Sequence, residues 1–175
     1  MNSKYILNDK KNNFVKYNFK QLGDIDILEL IDNISKIKKS DWDTDSIRTR
    51  GKTHEKVKTL PIRWKPEVLK QTNLRQIDNT EFYDILNFSK IESQLLSIYK
   101  KNYGDGFIHK IILADMHPEW TIKKHADSGL SLMSVHRTHI PLITNPYVTF
   151  NVNGETQQMI EGEVWEINNA QPHSV

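Results

Sequence analysis

The chain has 175 residues, 37% of them hydrophobic, which suits one domain with a real core, or one domain plus a small extension. Charged residues make up 26% with a net charge of +2, an ordinary balance that argues for no nucleic-acid partner. The absence of cysteine excludes disulfides, thiolate zinc sites, iron–sulfur clusters and cysteine nucleophiles. No apolar run has the length of a signal peptide or a membrane span, so the expectation is a soluble cytoplasmic protein with no membrane partner.

Residues 24–38, DIDILELIDNISKIK, carry Ile27, Leu30, Ile31, Ile34 and Ile37 at helical spacing, with lysines gathered at the end. The polar stretch 40–59 and its Gly51 read as a loop. LPIRW, residues 60–64, reads as a short strand. The segment NTEFYDILNFSKIESQLLSIYKKNYGDG reads as helix, with Ser89 and Glu92 as a capping box that starts a second helix and Gly104 as its stop.

From Phe107 the pattern changes to short strands: FIHKIILADM, WTIKKHAD, SVHRTHIPL, YVTFNV, ETQQMI and EVWEIN. Turn signals separate them at Pro118, Ser128-Gly129, Asn145-Pro146, Asn153-Gly154 and Glu161-Gly162. Asn153-Gly154 is a two-residue hairpin signal. The expected organisation is one domain over 1–175, α+β, with helices and loops over 1–105 and a β-barrel core over 106–175.

Within TIKKHAD, an extended chain puts Thr121, Lys123, His125 and Asp127 on one face. His125 and Asp127 alone fit a polar turn as readily as a metal site, because Asp127 could bond backbone amides near Gly129. A facial iron(II) site needs two imidazoles and one carboxylate, and His173 is the candidate for the third ligand. In HRTHIPL, Arg137 and His139 share a face, opposite His136 and Thr138. A guanidinium and an imidazole projecting together can hold a dicarboxylate, although Arg137 could also pair with a carboxylate such as Glu155. Trp42, Trp64 and Trp165 read as core, and His54, His109, His117 and His136 are assigned no role.

Residues 111–175 resemble the aspartyl/asparaginyl β-hydroxylase branch of the iron(II)- and 2-oxoglutarate-dependent oxygenases. The resemblance rests on MHPEWTIKKHAD, HRTHIPL and GEVWEINNAQPHSV in that order, with a looser match over THEKVKTLPIRW. It implies a double-stranded β-helix, a jelly-roll or cupin-like barrel flanked by the N-terminal helices. His125, Asp127 and His173 would hold Fe(II), Arg137 and His139 would contact 2-oxoglutarate, and no catalytic residue is implied beyond the metal ligands. The implied partners are 2-oxoglutarate, O2 and a small-molecule or peptide substrate, and the implied reaction is hydroxylation of an amino-acid, peptide or protein side chain. The family's further C-terminal strand, with its asparagine and arginine, has no counterpart before Val175. The expectation is an incomplete copy of a longer protein with its C-terminal strand missing, or a short variant completed by a partner chain. The competing readings are a zinc or manganese cupin-like barrel and a non-catalytic barrel.

Overall fold

A computed structural model describes residues 16–42, 53, 54, 56–64, 77–127, 132 and 134–175. The turn at Ser128-Gly129, Gly51 and three of the arginines, Arg48, Arg50 and Arg75, lie outside the described residues. The first element is a strand, β1, over Phe19–Asp24. Its short polar sequence carries little apolar alternation, so the sequence offers no clear sign of it. The predicted first helix follows as α1, Leu28–Ser35, with Leu30 buried and Ile31, Ile34 and Ile37 packed partly against the core. It is shorter than its periodic pattern because Asp24 still belongs to β1.

Strand β2 spans Val57–Arg63 and so starts inside the stretch expected to be a loop. Its pairing with β3, Ile111–Met116, extends it: Val57, Lys58 and Thr59 lie opposite Met116, Asp115 and Ala114. Helices α2, Glu81–Ile85, and α3, Phe88–Tyr103, lie between these strands in sequence. The chain breaks between them at Asn87, which takes a left-handed φ of 51°. The expected capping box does not form. Glu92 turns into the core instead, bonded to Arg63, because a deeply buried guanidinium needs a carboxylate more than the helix end does. Gly104 ends α3 as predicted, with φ 87° and its N–H donated to the Lys100 carbonyl.

The remaining strands are short: β4 Thr138–His139, β5 Phe150–Val152, β6 Glu155–Gln157, β7 Glu163–Ile167 and β8 His173–Ser174. Asn153 and Gly154 join β5 to β6 with φ 52° and 87°, both positive as a primed hairpin turn demands. The fold is thus mixed α and β with few helices and antiparallel sheets. The strand orders are β1-β7-β4, β2-β3 and β6-β5-β8. These sheets do not join into the expected closed barrel among the described residues. Register shifts at Gln21/Gly23 and Pro61/Arg63 interrupt two ladders, and β4 and β8 hold only two residues each.

Strand β7 organises the interior because its side chains alternate between two layers. Val164 joins the helix-side core with Leu30, Leu60, Ile62, Leu86, Phe88, Ile91 and Leu95. Trp165 and Ile167 point the other way, into a second cluster with Val152, Met159, Phe150 and Phe19. Trp42 packs against the first cluster and Trp64 is buried, so all three tryptophans expected in the core have core surroundings. No helix among the described residues is long and apolar enough to cross a membrane.

Gly162 shows how tightly the turn before β7 is built. Its φ is +82°, and an added Cβ would sit 2.9 Å from the Ile25 carbonyl oxygen. Its own N–H donates to the Pro141 carbonyl and its carbonyl accepts from Ile25 N–H, both at 2.9 Å. Gly162→Ala is therefore expected to cost about 1–3 kcal/mol, combining left-handed strain with the clash. Gly106, with open space around its Cβ position, is the control and should tolerate alanine. Equal melting temperatures for the two variants would contradict this account.

Candidate metal centre

The segment from Ile122 to Asp127 runs antiparallel to the last residues of the chain. His125 and His173 exchange both backbone bonds, N–H to carbonyl, at 2.9 and 2.7 Å. Ile122 and Val175 exchange another pair, and Asp127 N–H donates to the Asn169 carbonyl. Directly paired residues on antiparallel strands project to the same face. The two imidazoles therefore stand side by side, ring centroids 4.3 Å apart. Asp127, two residues further along the same segment, joins them. One ligand atom from each of His125, Asp127 and His173 lies within 4.8 Å of the others. No other group of three such side chains with this closeness occurs among the described residues.

Backbone carbonyls set the tautomers. His125 Nδ1–H donates to the Lys123 carbonyl at 2.8 Å, and His173 Nδ1–H donates to the Gln171 carbonyl at 2.9 Å. A carbonyl can only accept, so each Nδ1 carries a proton, and in the neutral ring each Nε2 then carries the lone pair. Both Nε2 atoms are buried, and neither has a hydrogen-bond partner among the described residues. Burying an unsatisfied polar atom costs about 1–3 kcal/mol. Two such atoms aimed at one carboxylate form a donor set that a divalent first-row metal satisfies. Burial pushes the His173 imidazole below its ordinary pKa, and the neighbouring His125 adds to that, against the Gln171 carbonyl. The result favours the neutral, ligating form.

Asp127 is held as a carboxylate from behind. Arg137 NH1 and Asn169 Nδ2 both donate to its Oδ2, the second at 3.0 Å. Burial raises the Asp127 pKa, but the Arg137 charge and the Asn169 amide hold it below the usual carboxylate range. Both named donors use Oδ2. Asn169 also donates to the Leu132 carbonyl at 2.9 Å, which fixes its amide plane.

Strand β4 alternates as its sequence implies. Arg137 reaches Asp127, and His139 meets the Phe150 ring edge-on at 5.3 Å. Between them Thr138 bonds Tyr99, and His136 bonds Glu166, on the helix side. The structure thus gathers His125, Asp127, His173 and Arg137 directly, whereas His139, two residues beyond Arg137, packs against Phe150. Glu155, the other carboxylate considered for Arg137, accepts instead from Asn18. Lys123 is exposed.

Two neighbours carry no role in the sequence reading. Asn169 belongs to the family-like WEINN run, but its link to Asp127 crosses strands and has no local signature. His54 meets the His125 ring edge-on at 5.3 Å. The loose family match over residues 53–64 covers it without giving it a role.

No curated protein matches the chain. The sequence profile of the aspartyl/asparaginyl beta-hydroxylase family matches residues 24–175, which takes in α1, α3, all of the metal-capable residues and every strand after β1. With a match over most of its length and a His-Asp-His cluster assembled within it, the chain belongs to the aspartyl/asparaginyl β-hydroxylase family.

Proposed function

We propose that this chain is an iron(II)- and 2-oxoglutarate-dependent dioxygenase that hydroxylates an amino-acid, peptide or protein side chain, on a distorted double-stranded β-helix. The observation that carries the reading is the pair of buried Nε2 atoms, without a hydrogen-bond partner among the described residues, beside an ionised carboxylate. Two neutral imidazoles and one carboxylate on one side of an ion leave the opposite positions open for a bidentate cosubstrate and oxygen. Iron(II), when bound, supplies oxygen activation coupled to the oxidative decarboxylation of 2-oxoglutarate to succinate.

The chain's own residues provide placement and charge. His125 and His173 present lone pairs whose direction the Lys123 and Gln171 carbonyls fix. Asp127 contributes the negative charge, and Arg137 keeps it ionised. The Arg137 bond to Asp127 runs through NH1, and the same guanidinium fork has further N–H groups to aim at a dicarboxylate. His139, two residues after Arg137, is proposed as the second contact to 2-oxoglutarate.

The test is direct. Anaerobic protein with iron(II) and 2-oxoglutarate is expected to show the weak visible band of the iron–keto-acid chelate, and admission of oxygen should yield succinate. A protein that binds zinc but gives neither band nor succinate would instead support the zinc-barrel alternative.

A further inference from the structure

We propose that Glu166 is a positioning residue for the metal centre, acting through His136 to seat Arg137 on Asp127. This inference rests on the metal-site reading above and concerns residues on the opposite face of the sheet.

Glu166 lies in β7, next to its last residue, with no solvent exposure. Its Oε2 accepts from the Tyr17 and Tyr103 hydroxyls, each at 2.6 Å, and its Oε1 accepts from His136 Nδ1–H at 2.5 Å. The Tyr103 ring stacks on His136 with centroids 3.8 Å apart. One carboxylate therefore ties together the lead-in to β1, the end of α3, the approach to β4 and β7 itself.

Stability alone does not account for a charge here. A buried ion pair typically contributes no more than well-packed apolar groups of the same volume, because its desolvation offsets its attraction. What the carboxylate does that an apolar group could not is fix a direction. His136 immediately precedes Arg137, and successive side chains on an extended chain point to opposite faces. Pinning His136 toward the helices thus aims Arg137 toward the metal site. The backbone agrees: Thr138 pairs with Glu166, and Ile167 N–H donates to the Arg137 carbonyl at 3.2 Å. Downstream, Asn169 leaves β7 just after Glu166. Both donors to Asp127 Oδ2 thus spring from chain segments that this carboxylate holds. Strand β4 has only two residues, so its ladder is too short to hold Arg137 by itself.

Glu166→Gln keeps the volume and removes the charge that holds His136. Cobalt(II) titration of this variant should show roughly tenfold weaker binding than wild type, as losses in the outer shell of a metal site commonly do. In the metal-free protein, the Arg137 guanidinium N–H signals should exchange with water faster in the variant. Tyr103→Phe leaves the His136 contact in place, so it should lower the melting temperature while keeping cobalt affinity within about twofold. His136→Phe, which keeps the stack on Tyr103, should reproduce the Glu166→Gln losses and serves if that variant does not fold.

Unchanged cobalt affinity and unchanged Arg137 exchange in Glu166→Gln, whatever its melting temperature, would reduce Glu166 to a structural group and overturn the proposal. If wild-type protein binds no cobalt, the metal reading fails on its own. The Arg137 exchange measured without metal then still decides whether Glu166 positions that side chain.

Discussion

His125→Ala and Asp127→Ala are each expected to weaken divalent-metal binding by more than about 100-fold, beyond the range seen when only an outer partner of a ligand is lost. Each removes one of the three converging ligand atoms. Iron(II) or cobalt(II) titration followed by the visible chelate band measures the effect. A band of wild-type strength in either variant would sink the ligand assignment.

The same two substitutions should differ in the metal-free protein. Asp127→Ala strands Arg137 and Asn169, which both donate to the lost oxygen. That loss should cost about 1–3 kcal/mol, the range for charge-assisted hydrogen bonds left unmade. His125→Ala instead removes a buried Nε2 that has no partner among the described residues, along with the Nδ1 bond to the Lys123 carbonyl. Its metal-free stability should fall less than that of Asp127→Ala. Denaturant unfolding in the presence of a chelator separates the two.

Arg63→Ala should be the most destabilising single change in the helical half, by about 3–5 kcal/mol, because it leaves a buried carboxylate without its counter-charge. Arg63 is 1% exposed and grips Glu92 with two bonds, NH1 to Oε1 at 2.6 Å and NH2 to Oε2 at 2.8 Å. Its Nε–H donates to Asn79 and its NH1 also to the Ile108 carbonyl, so one side chain ties β2 to α3 and to the lead-in of β3. Tyr83 completes the cluster on Glu92, and its hydroxyl is pushed up to about 12, mainly by burial, so it remains a donor at neutral pH. Replacing both partners, Arg63→Met with Glu92→Leu, should recover much of the loss. A loss below about 1 kcal/mol for Arg63→Ala at pH 7 would contradict this assignment.

The pair also sets an acid limit. Burial raises the Glu92 pKa, but the Arg63 and Tyr83 bonds outweigh it and hold the carboxyl below its ordinary value. A depressed carboxyl stabilises the fold fully above its unfolded pKa of about 4.3 and loses that contribution as pH falls through the folded value. The unfolding free energy of wild type should therefore drop as pH falls below about 5, and the Arg63→Met, Glu92→Leu double variant should show a shallower drop over the same range.

Some of this design is visible in single short stretches. The isoleucine and leucine spacing marks α1 and α3, Gly104 marks the end of α3, and Asn153-Gly154 marks the hairpin between β5 and β6. Within HRTH, simple alternation sends Arg137 and His139 one way and His136 and Thr138 the other, as their observed partners confirm. Other features are not visible because their causes are distant in sequence. Strand β1 exists because β7 pairs with it, Glu92 leaves its capping role because Arg63 faces it, and Glu166 is buried among tyrosines contributed by other elements.

By itself the sequence determined that His125 and Asp127 share a face, that Arg137 projects opposite His136, and that the family motifs occur in order. Those are consequences of a two-residue repeat and of local composition. Only the tertiary structure decided that His173 stands beside His125, that both Nδ1 protons are spent on backbone carbonyls, and that Arg137 and Asn169 converge on one oxygen of Asp127. Register between distant strands is set by packing across the whole core, and no local pattern encodes it.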